Sequence, residues 1–240
     1  MNRPFAHTIA AELVKLRSLP ALLATVLGTV ATGIALAAAL ASSAPTTGDT
    51  TQITTQTIVF LQVGPVLIGV LAAATEYMGR QIVTTLTATP NRLLLLVGKA
   101  AGYLAVAATT SLATIGASAA TAWITLSARG IRSTRDFDLW PLLGAVVYLV
   151  LIGLLALTVT ILLRSLTPPL VTMLALVLIV SPLLAGYTEH ARWLPDKAGS
   201  LLYLPDNDLL LTPGSGALVL LAWITATAIA ASIAFQRRDA

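Results

Sequence analysis

Six stretches of this chain run without a single Asp, Glu, Lys, Arg or His, each close to the roughly 20 residues that cross a bilayer as a helix. That pattern leaves few folds open. In hydrocarbon every backbone N–H and C=O must be satisfied inside the protein, so spanning segments of this length are α-helices. The spans are placed at Pro20–Ala41, Thr57–Thr75, Ala101–Ser127, Trp140–Leu163, Pro169–Tyr187 and Gly214–Phe235. The fourth carries 15 Leu, Ile or Val residues between Leu142 and Leu163, each favouring insertion by roughly 0.3 to 0.6 kcal/mol near a helix centre. The third is rich in Ala, Thr, Ser and Gly, small residues that let helix backbones approach closely. Charged residues make up only 10% of the 240, against about 25% in soluble domains. The expected fold is an all-α polytopic membrane protein of six transmembrane helices in a single domain, 1–240.

The ends and loops set the expected orientation. Met1–Leu19 carries Glu12, Lys15 and Arg17 close to the first span. A secretory signal has a basic start, a short apolar core and a small-residue cleavage site, so we expect an uncleaved start. Ile9, Leu13 and Leu16 recur at i, i+4 and i+7, one helix face. His7, Glu12 and Lys15 lie mostly off it. An amphipathic helix over 1–19, lying in the interface, accounts for both sets; a plain charged flank that sets topology is the alternative. Nine cations fall on one side of the spans: Arg3, Lys15, Arg17, Arg80, Arg92, Lys99, Arg164, Arg237 and Arg238. Five fall on the other, Arg129, Arg132, Arg135, Arg192 and Lys197, together with Asp49, Asp136, Asp138, Glu189, Asp196, Asp206 and Asp208. The Lys/Arg excess marks the cytoplasmic face, and an even number of spans puts both termini there. The chain has no cysteine, which excludes disulfides and thiolate metal sites.

One polar connection on the cytoplasmic side is sizeable, residues 76–99, EYMGRQIVTTLTATPNRLLLLVGK. Glu76 and Tyr77 close the second span. Pro90 ends any helix over Gln81–Ala88, because it lacks an N–H and holds Thr89 extended. Arg92 opens the apolar run Leu93–Val97 before Lys99. A short helix, a break and a second helix re-entering the membrane fit this order; an ordinary cytoplasmic loop fits it too.

The pattern EYxxxxIxTTLxAxPxRxxxxxxKA, Glu76 to Ala100, resembles the same connection in permeases of type-two ABC transporters (the ABC-2-like family), particularly actinobacterial ones. AELVKLRS at Ala11–Ser18 is similar to that family's amphipathic opening helix. WLPDKAG at Trp193–Gly199 is similar to an outer segment that often reads LPSNAG, and the ending QRRDA also fits. Arg80 departs from the pattern, which has a small residue there, often Gly; Gly79 stands one place earlier. The resemblance implies a permease subunit in a bacterial cytoplasmic (inner) membrane. It implies a second permease copy or a related permease, and two copies of a cytoplasmic ABC ATPase. It also implies that the connection carries a coupling helix docking on that ATPase. The coupling role passes to Gln81, Ile82, Thr84, Thr85, Leu86, Thr89 and Arg92, with Glu76, Tyr77 and Lys99 as flanks. Ser181–Pro213, including the outer loop 188–213, looks like the family's outer region with its re-entrant segment between helices five and six. Pro182 supplies a physical reason for a break, so Leu183–Tyr187 either turns back or continues as a kinked span.

Other function classes find little in the residues. The histidines are His7 and His190, neither inside a span, which leaves no intramembrane His for a serine or metal protease. GxSxG is absent. Gly98–Lys99 is followed by Ala100 and lacks the upstream glycine of a Walker A motif. The resemblance thus implies that ATP and magnesium belong to the partner ATPase, and this chain is expected to have no cofactor and no enzyme activity of its own. No nucleic-acid motif is present. An ion-coupled secondary transporter is the alternative, although no carboxylate falls inside a span; a non-transporting scaffold or sensor is another. Spans without charge suit an apolar or amphipathic cargo, a drug, antibiotic or lipid-like molecule moved outward. Phe60, Gln62 and Ser181 are candidate lining residues.

Overall fold

A computed structural model of the chain describes residues 14, 16, 18–44, 48–78, 92–131, 138–204 and 211–237. All regular structure among them is helical, and six helices are long and apolar enough to cross a membrane.

Helix α1 spans Pro20–Ser43, with Pro20 at the first position, where the missing N–H has no intrahelical partner to lose. Helices α2, Thr50–Leu61, and α3, Val63–Met78, together make the second span. Asp49 starts α2 by accepting the Thr51 N–H at 3.0 Å. This span begins at Thr50 rather than at the expected Thr57. The added residues are mostly threonines, and hydropathy undervalues them. Thr54 and Thr55 satisfy their hydroxyls on carbonyls four and three residues back, at 2.7 and 3.0 Å, so they can be buried in a helix.

Helix α4 runs Arg92–Ala128 over 37 residues. Its membrane-length part begins at Leu96, which corrects the expectation that every span is free of charge: Lys99 lies inside it. Helix α5 is Leu139–Leu163, capped by Asp138 on the Trp140 N–H at 3.0 Å. It stops at Arg164, whose φ of 51° lies in the left-handed region and reverses the chain.

The fifth span, Thr167–Tyr187, consists of α6, Thr167–Ala175, a π-helical segment, Leu176–Val180, and α7, Ser181–Tyr187. Helical backbone therefore continues through Tyr187, and no turn back begins at Leu183. The wider π turn accommodates Pro182, which has no N–H for the preceding ladder and whose ring crowds the carbonyl four residues back. A 3-10 turn, Glu189–Trp193, and a short helix α8, Pro195–Ser200, precede α9, Pro213–Arg237.

The α2–α3 span is the centre of the bundle, with 72% of its apolar window buried, followed by α5 with 56%; the fifth and sixth spans are 17% buried each and form the periphery. The two central helices meet through glycine. A Cβ on Gly69 would overlap the Gly153 carbonyl, and one on Gly153 would overlap the Pro65 carbonyl and the Tyr103 hydroxyl. Tyr103 of α4 donates to the Val150 carbonyl of α5 at 2.9 Å. Apolar side chains such as Leu27, Trp123, Val171 and Leu218 point away from the bundle, as expected where the surroundings are lipid.

Of the opening segment, Leu16 is buried in a core cluster that includes residues of α3, α4 and α5, while Val14 is exposed. Ile9 and Leu13 lie outside the described residues.

Candidate functional site

Two of the helix breaks carry polar side chains into the interior. The first lies between α2 and α3. Pro65 has no N–H to offer the Leu61 carbonyl, so the helical ladder is interrupted there. Gln62 occupies the junction, its backbone still helical at φ −59° and ψ −21°. Its side chain is 4% exposed. The amide Nε2 donates to the Val59 carbonyl at 2.8 Å, and Oε1 accepts from the Tyr148 hydroxyl of α5 at 2.5 Å. Counting about 1.5 Å per residue from Thr50, Gln62 sits roughly 18 Å along its span, near mid-depth.

The second break is the π segment. Ser181 follows it directly, is fully buried, and donates to Asp196 Oδ1 of α8 at 2.5 Å. Asp196 is itself 5% exposed. The sequence places it among the acids of the outer face, and 189–203 packs against the bundle and carries the carboxylate inside. The packing depends on close approach at three glycines. A Cβ on Gly144 of α5 would overlap the Leu202 carbonyl, one on Gly216 of α9 would overlap the Ala198 carbonyl, and one on Gly199 would press on the Tyr148 ring and Leu220. Trp223 of α9 donates its indole N–H to the Trp193 carbonyl at 3.0 Å. Tyr203 closes the cluster, its ring centroid 5.2 Å from that of Tyr148 at 49°, a tilted arrangement that aromatic pairs favour.

Gln62, Tyr148, Tyr203, Ser181 and Asp196 thus form a buried polar cluster contributed by the α2–α3 junction, α5, the π-segment junction and the 189–203 segment. Burial raises the Asp196 carboxyl above the ordinary carboxylate range; its bond from Ser181, the charge of Lys197 and backbone N–H groups pull it back in part. Burial, and then the charge of Asp196, pushes the Tyr203 hydroxyl up as well. A cavity of about 460 Å³ lies beside the segment, lined in part by Thr188, Arg192, Lys197, Ser200 and Leu204. Arg192 is held to Glu189 at 2.8 Å.

Among the expected lining residues, Gln62 and Ser181 belong to this cluster, whereas Phe60 is 60% exposed on the outside of the bundle and does not. Sequence reasoning does not single out Tyr148, Tyr203 or Asp196. The signal for Asp196 is weak but present: an acid two residues after Leu194 and next to Pro195, with Gly199 close behind, in an otherwise apolar setting. In the connection, Gln81, Ile82, Thr84, Thr85, Leu86 and Thr89 lie outside the described residues. Glu76 and Tyr77 fall in the last turn of α3, and Arg92 opens α4. Lys99 is 3% exposed, with Nζ donating to the Ala72 carbonyl of α3 at 3.4 Å. It ties α4 to α3 at the end of the bundle from which the connection leaves.

No protein-family model matches the chain, and no curated protein matches it either.

Proposed function

We propose that this chain is the membrane-spanning permease subunit of an ATP-driven ABC exporter, moving a hydrophobic or amphipathic compound outward. A separate cytoplasmic ATPase, present in two copies, supplies the energy, and a second permease copy or related permease completes the pathway in the bacterial inner membrane. The observation that carries the transport reading is the polar cluster at the two proline-linked breaks. Interrupted membrane helices that turn polar groups inward are how transporters build sites within the bilayer. Ser181 lies about 9 Å of helix back from Tyr187, and Asp196 reaches it, so 189–203 returns into the bundle as a re-entrant segment would. The ATPase reading rests on the resemblance of Glu76–Ala100 and on the absence of a Walker A motif from the sequence.

Co-purification tests it. The tagged chain, expressed with the ATPase encoded beside its gene, is expected to emerge from mild detergent as a complex that hydrolyses ATP. Replacing Thr84, Thr85 and Leu86 by a Gly-Ser stretch is expected to preserve insertion and uncouple hydrolysis from efflux. Undiminished coupled transport in that variant would remove the coupling assignment, and a chain that emerges alone would remove the ATPase.

One observation favours a second reading, an ion-coupled transporter: a carboxylate buried in the bundle is where such proteins bind their driving ion. Uptake or efflux that persists without any ATPase and collapses with the proton gradient would select it.

A further inference from the structure

The 189–203 segment is held in place around a buried acid that no cation of the described residues pairs with. We propose that Asp196 is a proton-binding residue, and that loading and unloading this proton decides whether the segment stays seated between α5 and α9. The inference goes beyond the permease reading and does not depend on it.

From the π-segment junction the Asp196 carboxyl accepts a hydrogen bond from the hydroxyl of Ser181 at 2.5 Å, a bond that either protonation state of the carboxyl can accept. From α5 it faces Tyr148, and from its own segment Tyr203, two phenols that offer no positive charge. On α8 the neighbouring Lys197 lines the cavity beside the segment without forming an ion pair with the acid, and its charge offsets the effect of burial only in part. The 3-10 turn contributes His190, whose Nδ1 lies 3.1 Å from the Thr188 hydroxyl, and Arg192, which bonds Glu189. Asp138 stands at the N-cap of α5, bonded to Trp140. Residues 213–234 of α9 contain no titratable side chain. An ionised carboxylate in this setting is expensive, because it has left water without gaining an ion pair; the neutral acid keeps one hydrogen bond to Ser181 and loses the penalty.

Burial holds the Asp196 carboxyl above its ordinary range, so the seated form binds the proton more tightly than a released, hydrated form. The sign follows by linkage. The contribution to seating is fully present below the ordinary carboxylate range and is lost as pH rises through the value of the seated carboxyl. Release exposes what the seat hides: Ala198 is fully buried, and Ala191 is 4% exposed. It also breaks the close approach of Gly216 to the Ala198 carbonyl and of Gly144 to the Leu202 carbonyl.

The chain lacks cysteine, so a single introduced thiol reports without background. The full chain would be placed in nanodiscs, where reagent reaches both faces. Labelling of Ala198→Cys by a polar maleimide would be compared with Tyr187→Cys, at a residue already 87% exposed, to cancel the pH dependence of the thiol reaction. From a pH below the ordinary carboxylate range up to about pH 9 the rate ratio is expected to rise at least about threefold, because the seated carboxyl binds its proton more tightly than the released one. With Asp196→Asn added, which stays neutral and can still bond Ser181, the ratio is expected to stay low throughout. Should Ala198→Cys fail to fold, Ala191→Cys replaces it. Infrared difference spectra of the cysteine-free chain give an independent readout: a protonated-carboxyl band that disappears over the same pH range and is missing in Asp196→Asn. A flat ratio, an Asp196→Asn variant that titrates like its parent, or no such band would overturn the proposal, and none of these outcomes bears on whether an ATPase binds.

Discussion

Tyr148 shows how much depends on single atoms in this interior. Its hydroxyl is the donor to Gln62 Oε1, and both side chains are almost completely buried. Tyr148→Phe preserves the ring stacking with Tyr203 but strands the amide oxygen, which costs about 1–3 kcal/mol when no replacement donor exists. Thermal unfolding in detergent is expected to show that loss, and Gln62→Met placed on the Tyr148→Phe background is expected to recover part of it. Equal stability of Tyr148→Phe and the parent would mean that water reaches the amide. Asp196 is the complementary case. Its sequence neighbourhood, WLPDKAG, gives only a weak hint that the carboxylate is dry; its burial follows from where α5 and α9 stand. Residue chemistry is readable from the sequence, but the energetic weight of each residue is not, because desolvation is a property of the assembled bundle.

At the scale of elements, glycines and arginines have roles that composition alone hides. The crossing of α3 and α5 at Gly69 and Gly153 leaves no room for a side chain. Gly69→Val must push against backbone, and we expect destabilisation of at least about 1–3 kcal/mol, typical of overpacking, read as a lower melting temperature and weaker Tyr103 protection from solvent. Gly116 meets nothing within 4 Å of a built Cβ. Gly116→Ala is therefore expected to be neutral or to stabilise by roughly 0.5–1 kcal/mol through helix propensity. The contrast between the two variants checks the packing as well as the propensity. Arg129, a topology charge in the sequence, donates from the turn after α4 to the Ala41 and Ala44 carbonyls at 2.7 and 3.0 Å, closing the C-terminal end of α1. Arg129→Ala is expected to cost about 1–2 kcal/mol and to raise hydrogen exchange in the last turn of α1 before it does so elsewhere. Arg164 plays a similar part toward the Ala234 carbonyl of α9 at 3.3 Å.

For the whole molecule, the distribution of exposed apolar surface matters most. The sixth span has Leu221 and Trp223 turned outward, with only 17% of its window buried. Leu221→Arg is expected to impair insertion, since a central arginine costs roughly 2.5–3.5 kcal/mol on insertion scales, and a glycosylation-type insertion reporter on α9 would measure it. Loss of assembly without loss of insertion would instead place this face against a second copy of the chain. Six long charge-poor runs by themselves dictate an all-helical bundle, because bilayer hydrocarbon leaves backbone polar groups no other partner. Pro182 likewise marks in the sequence a position at which a helix cannot remain regular. What only the tertiary structure decided was which polar groups the breaks at Pro65 and Pro182 bring together. It continued α7 through Tyr187, extended the second span back to Thr50, drew Lys99 into α4, and folded 189–203 against α5 and α9 so that Asp196 meets Ser181. The physical reason is that hydropathy reports transfer of a residue by itself, whereas the burial of a threonine, a lysine or an aspartate depends on a partner. That partner's place in the sequence is distant, and its place in space is set by close packing at glycine.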